Sequence, residues 1–457
     1  MMSTRTERDS MGELQVPSSA LYQAQTQRAV QNFQISSKTL PLGFIQALLQ
    51  IKHAAARANQ QLGLLSKTQA DAICQAATQL LKDTDLAQFP VSVYQTGSGT
   101  SSNMNVNEVL ATLASQLSGD SIHPNDQVNL GQSSNDTIPT AIQLSSLLAL
   151  EQHLFPALQS LQEAINTKSA EIGHIVKTGR THLMDAMPVT FAQVLGGWHS
   201  QLSHAQTQLQ LQVPLLSQLA QGGTAVGSGI NAHKDFAALF AKQLSLQTGL
   251  SLTPSSNFFF NLSSQDGALA LSGALKTLAA VLLKIANDLR WMNSGPLAGL
   301  SEISLAALQP GSSIMPGKVN PVIPEAVAMA SVQVFACDTA ISMAAQSGNF
   351  ELNVMLPLVA DNLLEAISLL SGSCQALATQ AIADFTVNEQ HIAQTVAKNP
   401  ILVTALNSKI GYDQAAAIAK QAYQQQRSII DVAAELTELS RDELKELLDP
   451  KQLTGES

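Results

Sequence analysis

The chain has 457 residues, of which 45% are hydrophobic, 13% charged and 4% aromatic. This length predicts two or three domains, and the apolar content excludes a largely disordered chain. The net charge of −10 argues against a nucleic-acid partner, because neutralising phosphates requires a face of lysine and arginine side chains. The three widely separated cysteines indicate neither a disulfide framework nor a metal or iron–sulfur site.

The N-terminal segment shows no targeting signal. It lacks the apolar stretch of a secretory signal, and Glu7 and Asp9 are unlike a transit peptide, which is poor in acidic residues. We therefore expect a cytoplasmic protein. We also expect no apolar run long enough to cross a membrane. Further along the chain, residues 90–95 form a short stretch that could be extended.

Helical periodicity dominates the remaining sequence and predicts an all-α fold with long central helices. The patterns cover residues 137–174, 189–219, 263–292, 324–345 and 352–381. The clearest pattern alternates steps of four and three residues, through Leu271, Leu275, Leu278, Leu282, Ile285 and Leu289.

Proline marks the predicted ends and breaks of these helices. Pro139, Pro188 and Pro324 are natural helix starts, since proline is tolerated in a first turn. Pro156 lies inside a helical pattern, where it predicts a kink. Residues from about 387 onward have shorter, more charged patterns and indicate a small separate domain.

Loops rich in Gly, Ser, Thr and Asn separate the helical patterns. The most distinctive covers residues 311–321, where Lys318 and Asn320 supply a cation and an amide donor just before a helix. Such a loop could clamp an anion, because a helix N-terminus also attracts negative charge. The alternative is a flexible linker with one solvated lysine.

The other loops also allow a structural interpretation. Residues 97–103 could bind an anion through hydroxyl and backbone N–H groups, or simply cap the following helix. Residues 132–136 are, taken alone, more typical of a helix cap. A further loop at 179–188 places His182 beside Thr181, where it could transfer a proton, although a lone histidine is more often structural. Glu325 could orient a histidine or only complement a helix dipole.

Together these loops resemble the fumarase/aspartase superfamily along nearly the whole chain. The stretch Gly-Ser-Ser-Ile-Met-Pro-Gly-Lys-Val-Asn-Pro at 311–321 matches the superfamily signature without a departure. Further matches lie at residues 9–17, 96–108, 123–136, 179–185, 222–229 and 348–357. The sequence most resembles the class II fumarases, because His182 and Gly317 stand where aspartases typically carry glutamine and alanine. The segment 348–353 also has the fumarase form.

The resemblance implies an architecture as well as a fold. It implies three helical domains at residues 1–133, 134–388 and 389–457. It also implies a homotetramer in which the central helices form a twenty-helix bundle, with each active site assembled from three subunits. Neither a cofactor nor a metal is implied.

The implied reaction is the reversible hydration of fumarate to (S)-malate, a step of the tricarboxylic acid cycle. Ser312 matches the family's base for the proton at C3, and an aci-carboxylate then develops. His182, paired with Glu325, matches the residues assigned to proton transfer at C2. The implied substrate-binding residues are Ser98, Gly99, Thr100, Ser133, Ser134, Asn135, Thr181, Ser313, Lys318, Val319 and Asn320.

A second anion-binding loop of the family is matched by His123, Pro124, Asn125 and Asp126. Fumarases often carry a basic residue three positions before the histidine, whereas this chain has Asp120. We therefore expect weak dicarboxylate binding there.

Three other functions remain as alternatives. An aspartate ammonia-lyase or related lyase is disfavoured by His182 and Gly317. A non-catalytic structural protein, such as a lens crystallin built on this scaffold, could lose catalytic residues freely, yet the matched ones are all present. A hydratase for a methylated fumarate stays open, because one methyl group changes binding by only about 1–3 kcal/mol.

Overall fold

The computed structural model describes residues 3–455, and α-helices make up most of that range. The all-α prediction is therefore confirmed. In chain order, the α-helices are α1 (Ala24–Asn32), α2 (Leu42–Gln61), α3 (Lys67–Lys82), α4 (Thr100–Ser118), α5 (Ser134–Ala149), α6 (Phe155–Ile172), α7 (Phe191–Gln210), α8 (Val213–Leu216), α9 (Phe236–Thr248), α10 (Phe258–Ser263), α11 (Asp266–Met292), α12 (Val322–Ala345), α13 (Leu356–Leu377), α14 (Glu389–Ala397), α15 (Asn407–Ile410), α16 (Tyr412–Gln425), α17 (Ile429–Leu436) and α18 (Arg441–Leu447).

The strands of the described chain are short and pair into two-stranded sheets. They are β1 (Thr4–Asp9), β2 (Gly12–Pro17), β3 (Val176–Thr181), β4 (Met184–Thr190), β5 (Gln218–Leu219), β6 (Thr253–Pro254), β7 (Ile303–Ser304), β8 (Gly348–Asn349), β9 (Leu352–Asn353) and β10 (Thr386–Val387). Strand β5 pairs with β6 in parallel, whereas the pairs β1–β2, β3–β4, β7–β10 and β8–β9 are antiparallel.

The chain divides into two compact units. The first contains the residues up to Pro156, Thr207–Ala279 and Val332–Ser371, and the second contains the intervening segments and the residues from Gly372 onward. Within the second unit, a small hydrophobic core of its own joins residues between Leu402 and Leu448. The division into three domains stays a prediction.

Helix α11 ends at Met292 as its periodicity predicted, has the predicted buried face, and begins at Asp266, three residues after the predicted start. Its 27 residues rise roughly 40 Å. The six residues of the predicted seam are all fully buried: Leu271, Leu275, Leu278, Leu282, Ile285 and Leu289. Steps of three and four residues return to one side of a helix, so this side forms a continuous apolar stripe.

The predicted break at Pro156 appears as a change of helix type. Helix α5 ends at Ala149, a π-helical turn covers Leu150–Leu154, and α6 follows. Proline has no N–H to donate to the preceding turn, which explains the local widening. Pro139 is not a helix start, contrary to our prediction, because a capping box at Ser133 begins α5 a turn and a half earlier.

Extended structure was the main feature that the periodicity missed. Pro188 lies in β4 and not at a helix start, so that prediction is wrong, and residues 179–188, predicted as a loop, belong to the β3–β4 hairpin. The β1–β2 hairpin was not predicted either. In the stretch 90–95, the extended character is limited to an isolated bridge between Thr39 and Ser92.

Helices α11 and α12 are long and apolar enough to cross a membrane by length and composition alone. The prediction that no apolar run has that length is therefore wrong. In their most apolar windows, 56% of the α11 residues and 33% of the α12 residues are buried. Length and composition are weak evidence of a membrane span, because core helices of soluble proteins pass the same test.

We expect Leu278→Ala to lower the free energy of unfolding by roughly 2–5 kcal/mol, because it leaves a cavity in a fully buried stripe. Leu246→Ala is the matched control, since that leucine on α9 is 73% exposed. Thermal denaturation of both variants checks the prediction. Equal melting temperatures would show that the α11 stripe is not a packed core.

Candidate active site

In the first unit, the loop before α4 presents two hydroxyl groups side by side. The oxygen atoms of Ser98 and Thr100 lie 2.8 Å apart. Gly99, between them, adopts a left-handed conformation with φ of 72°. A side chain at Gly97 is impossible without rearrangement, because its Cβ would lie 1.6 Å from the carbonyl oxygen of Val354. Close backbone packing at Gly97 therefore holds the loop that carries the two hydroxyls.

A capping box organises the residues that begin α5. The hydroxyl of Ser133 accepts from the Asn135 backbone N–H at 3.2 Å, and the Asp136 carboxylate accepts from the Ser133 N–H at 2.9 Å. The neighbouring Ser134 hydroxyl accepts from the amide of Asn103 on α4 at 3.0 Å. This bond joins the starts of the two helices.

The buried carboxylate of Asp136 also binds a third segment. Its Oδ2 atom accepts from the backbone N–H groups of Gly222 and Thr224 at 3.0 and 2.9 Å. The amide of Asn135 donates to the carbonyl of Ala225 at 2.8 Å. Burial raises the pKa of Asp136 above its usual value, and the hydrogen bonds from the Gly222, Ser133 and Thr224 N–H groups offset only part of the rise. Three polar segments of the first unit are thereby held in one arrangement.

The predicted second anion site lies around the π-helical turn Pro124–Val128. The Nδ1 atom of His123 accepts from the backbone N–H of Asp126 at 3.2 Å and lies 3.3 Å from its carboxylate. Pro124 is buried and Asn125 is exposed. A carboxylate beside the imidazole repels an incoming anion, and weak dicarboxylate binding at this loop stays a prediction.

In the second unit, the β3–β4 hairpin carries Thr181 and His182. Thr181 pairs with Met184, which leaves His182 and Leu183 as a two-residue turn with φ of 54° and 61°. Two left-handed residues make a type I′ turn, the tight hairpin connection that matches strand twist. The turn leaves the imidazole exposed at the tip of the hairpin.

A buried ion-pair cluster anchors this hairpin. The Glu302 carboxylate accepts from the Arg180 guanidinium at 2.8 Å and lies 3.3 Å from the Lys177 ammonium. Burial lowers the pKa of Lys177, and the charge of Glu302 partly restores it. The cluster fixes the strand that leads directly into Thr181.

The loop at 311–320 is closed at its base by its own backbone. The Gly311 N–H donates to the Lys318 carbonyl at 2.8 Å, and the Asn320 amide donates to the Gly311 carbonyl at 2.8 Å. The Lys318 ammonium donates to the Asn320 side-chain oxygen at 2.8 Å. A Cβ on Gly311 would lie 2.4 Å from the Lys318 carbonyl oxygen, so this crossing requires glycine.

Ser312 occupies a position that favours negative charge on its oxygen. Its Oγ atom accepts from the backbone N–H groups of Ile314 and Met315 at 3.2 and 3.1 Å. Two such donors stabilise an alkoxide more than a neutral hydroxyl. Ser313 and Val319 are exposed on the same loop.

Glu325 lies in the first turn of α12 and lines one cavity with Lys318 and Asn320. His182 lines a different cavity, near Arg180. Among residues 3–455, no hydrogen bond or ion pair joins His182 to Glu325 within the chain. No group of three or more His, Cys, Asp or Glu side chains in that range is arranged to hold a metal ion.

The predicted residues therefore fall into two groups, one in each unit. The first unit holds Ser98, Gly99, Thr100, Ser133, Ser134 and Asn135, together with the second anion loop. The second unit holds Thr181, His182, Ser312, Ser313, Lys318, Val319, Asn320 and Glu325. Sequence reasoning placed Asp136 in a helix cap without its bonds to Gly222 and Thr224, and it missed the buried carboxylate of Glu302.

Known proteins match this chain over nearly its full length. A family described as lyase matches residues 12–336, and a second described as fumarase C C-terminus matches residues 402–455. The chain is 60% identical over 455 residues to "Fumarate hydratase class II 2" of Pseudomonas aeruginosa, covering 100% of this chain and 99% of that one. It is 50% identical over 426 residues to a class II fumarate hydratase of Mycobacterium tuberculosis, covering 93% and 90%.

The fold is also shared with a solved structure. The class II fumarase of Schistosoma mansoni superimposes with a TM-score of 0.96 and 38% identity, over 99% of both chains. The long helices and the polar loops thus define a lyase of the fumarase/aspartase superfamily. Within it, the chain belongs to the class II fumarate hydratase family.

Proposed function

We propose that the chain catalyses the reversible hydration of fumarate to (S)-malate, as a step of the tricarboxylic acid cycle. The observation that carries the proposal is the closed loop at 311–320, in which Ser312 accepts hydrogen bonds from two backbone N–H groups and lines one cavity with Lys318. Family membership supplies the substrate class. The loop supplies the groups that the chemistry requires.

The difficult step is removal of a weakly acidic proton from C3 of malate. Neutral serine is a poor base, so Ser312 must act as an alkoxide. The N–H groups of Ile314 and Met315 and the Lys318 ammonium lower the cost of that charge. Closure of the loop over the substrate would exclude water and strengthen these interactions.

Proton loss leaves an aci-carboxylate, which carries more charge than the ground state. Donors already in place stabilise it without reorganisation. We assign this task to Lys318 and Asn320. The carboxylates are bound by the hydroxyl, amide and backbone groups of Ser98, Gly99, Thr100, Ser133, Ser134, Asn135, Thr181, Ser313 and Val319. His182 exchanges a proton with water or hydroxyl at C2, and Glu325 orients it.

We infer that a homotetramer assembles the complete site, with each site drawing residues from three subunits. The apolar side of α12 supports this, because Met329, Val332 and Met343 are 68%, 60% and 61% exposed in the single chain. Contiguous exposed apolar surface of this kind marks a protein interface. In the assembly His182 of one subunit would meet Glu325 of another.

We further propose that the enzyme works in the cytoplasm. All three cysteines are buried thiols, and burial raises the pKa of Cys74 and Cys374 to about 12. Such thiols suit a reducing compartment, where disulfides rarely form.

The purified protein is expected to form fumarate from L-malate in the presence of a chelator, followed by ultraviolet absorbance. A parallel incubation with L-aspartate should release no ammonia. Ammonia release without malate turnover would instead indicate an aspartase, and activity abolished by the chelator would contradict a metal-free site.

Ser312→Ala is expected to lower kcat by several orders of magnitude with an intact oligomer, because it removes the base. Ser371→Ala is the control, since that hydroxyl donates to the Ile367 carbonyl within α13. Near-normal turnover of the first variant would remove Ser312 from the mechanism.

Mixing two inactive variants tests assembly from several subunits. Ser312→Ala and Asn135→Ala chains, unfolded together and refolded, should regain partial activity, because some sites receive both intact residues. Each variant refolded alone should stay inactive. If the mixture also stays inactive while forming mixed oligomers, one subunit supplies both residues.

A further inference from the structure

Helix α2 carries a lysine whose side chain has no access to solvent. Lys52 is fully buried, and its ammonium donates to the side-chain oxygens of Asn129 and Gln132 at 2.9 Å each. Burying a charge is costly unless hydrogen bonds compensate for the lost solvation. Both acceptors are neutral amides. They replace the hydrogen bonds that the ammonium would make to water, but they bring no negative charge to neutralise it.

The acceptors connect Lys52 to the start of α5. The Asn129 oxygen also accepts from the Asn103 amide at 3.2 Å, and Asn103 donates to the Ser134 hydroxyl at 3.0 Å. The Asn129 amide in turn donates to the Gln132 carbonyl at 3.1 Å. Hydrogen bonds therefore run without a gap from the buried ammonium to Ser134.

Gln132 closes the turn that precedes this helix. Its amide donates to the carbonyls of Val128 and Leu130 at 3.1 and 3.3 Å, while its oxygen accepts from Lys52. The turn continues directly into the capping box at Ser133. Lys52 thus holds both ends of the segment 129–132.

The opposing charge that acts on Lys52 is the carboxylate of Asp136, which forms its hydrogen bonds with other groups. Burial lowers the pKa of Lys52 to about 7, and the carboxylate of Asp136 raises it. That carboxylate accepts hydrogen bonds from the backbone N–H groups of Ser133, Gly222 and Thr224. An anion arriving at the start of α5 would therefore favour the charged form of Lys52.

We propose that Lys52 is a positioning residue for dicarboxylate binding, which fixes the segment 129–135 and adds positive potential behind Ser134 and Asn135. This inference rests on the proposed function, because it concerns the same dicarboxylate site. On this inference, losing Lys52 weakens substrate binding, and so raises KM, with little change in kcat.

Lys52→Met tests this, because methionine retains much of the length but supplies neither donors nor charge. We expect KM for L-malate to rise about tenfold or more, the effect of losing one charged hydrogen-bonding group, with kcat within about threefold of the wild type. Lys52→Gln retains an amide donor without the charge, and we expect an intermediate KM.

Lys168→Met is the matched control in the second unit. Lys168 is also buried, and it donates to the Glu171 carboxylate and the Phe385 carbonyl. We expect this variant to lose thermal stability but to keep the wild-type KM. A purely structural role for Lys52 would make the two variants alike.

The outcomes separate this inference from the proposed function. A wild-type protein without malate turnover would refute the proposed function itself. With an active wild type, an assembled Lys52→Met enzyme of unchanged KM would overturn the inference. If Lys52→Met does not assemble, the Lys52→Gln variant provides the test. An unchanged KM for L-malate in that variant overturns the inference, and a raised KM with retained kcat supports it.

Discussion

The polar groups of the first unit depend on one buried carboxylate. Asp136 has no contact with solvent and accepts hydrogen bonds from three backbone N–H groups, those of residues 133, 222 and 224. Unsatisfied, such a group would cost several kcal/mol, so the folded state tolerates it only with all donors in place. The carboxylate therefore fixes the start of α5 against the 222–225 segment, and Asn103 extends this order to α4.

The two long helices α11 and α12 differ in how much of their apolar surface they bury. In α11 the apolar stripe is buried, whereas α12 leaves large apolar side chains exposed in the single chain. The polar loop 311–320, with the donors of Lys318 and Asn320, leads into α12, and the start of a helix attracts negative charge. A substrate of four carbons and two negative charges matches such a collection of donors.

Much of this arrangement could be predicted from the sequence. Apolar residues that recur every three or four positions predict α11. The spacing from Ser133 to Asp136 is the pattern of a capping box. The β3–β4 hairpin was missed because its turn is His-Leu, whereas Asn-Gly is the usual signal of a type I′ turn.

Other features depend on partners distant in sequence. Lys52 lies in an apolar pattern where a lysine normally indicates a solvated position, and its acceptors are 77 and 80 residues away. Arg180 and Glu302 are separated by 122 residues. Local patterns contain no information about such pairs, so only the folded chain reveals them.

The hairpin turn also limits how the imidazole at its tip can be studied. A β-branched residue at position 182 would be strained at a φ of 54°, so any loss of activity would combine backbone distortion with missing chemistry. Asparagine tolerates the left-handed region and cannot exchange a proton near neutral pH. It is therefore the replacement that separates the conformational role of this residue from its proposed acid–base role.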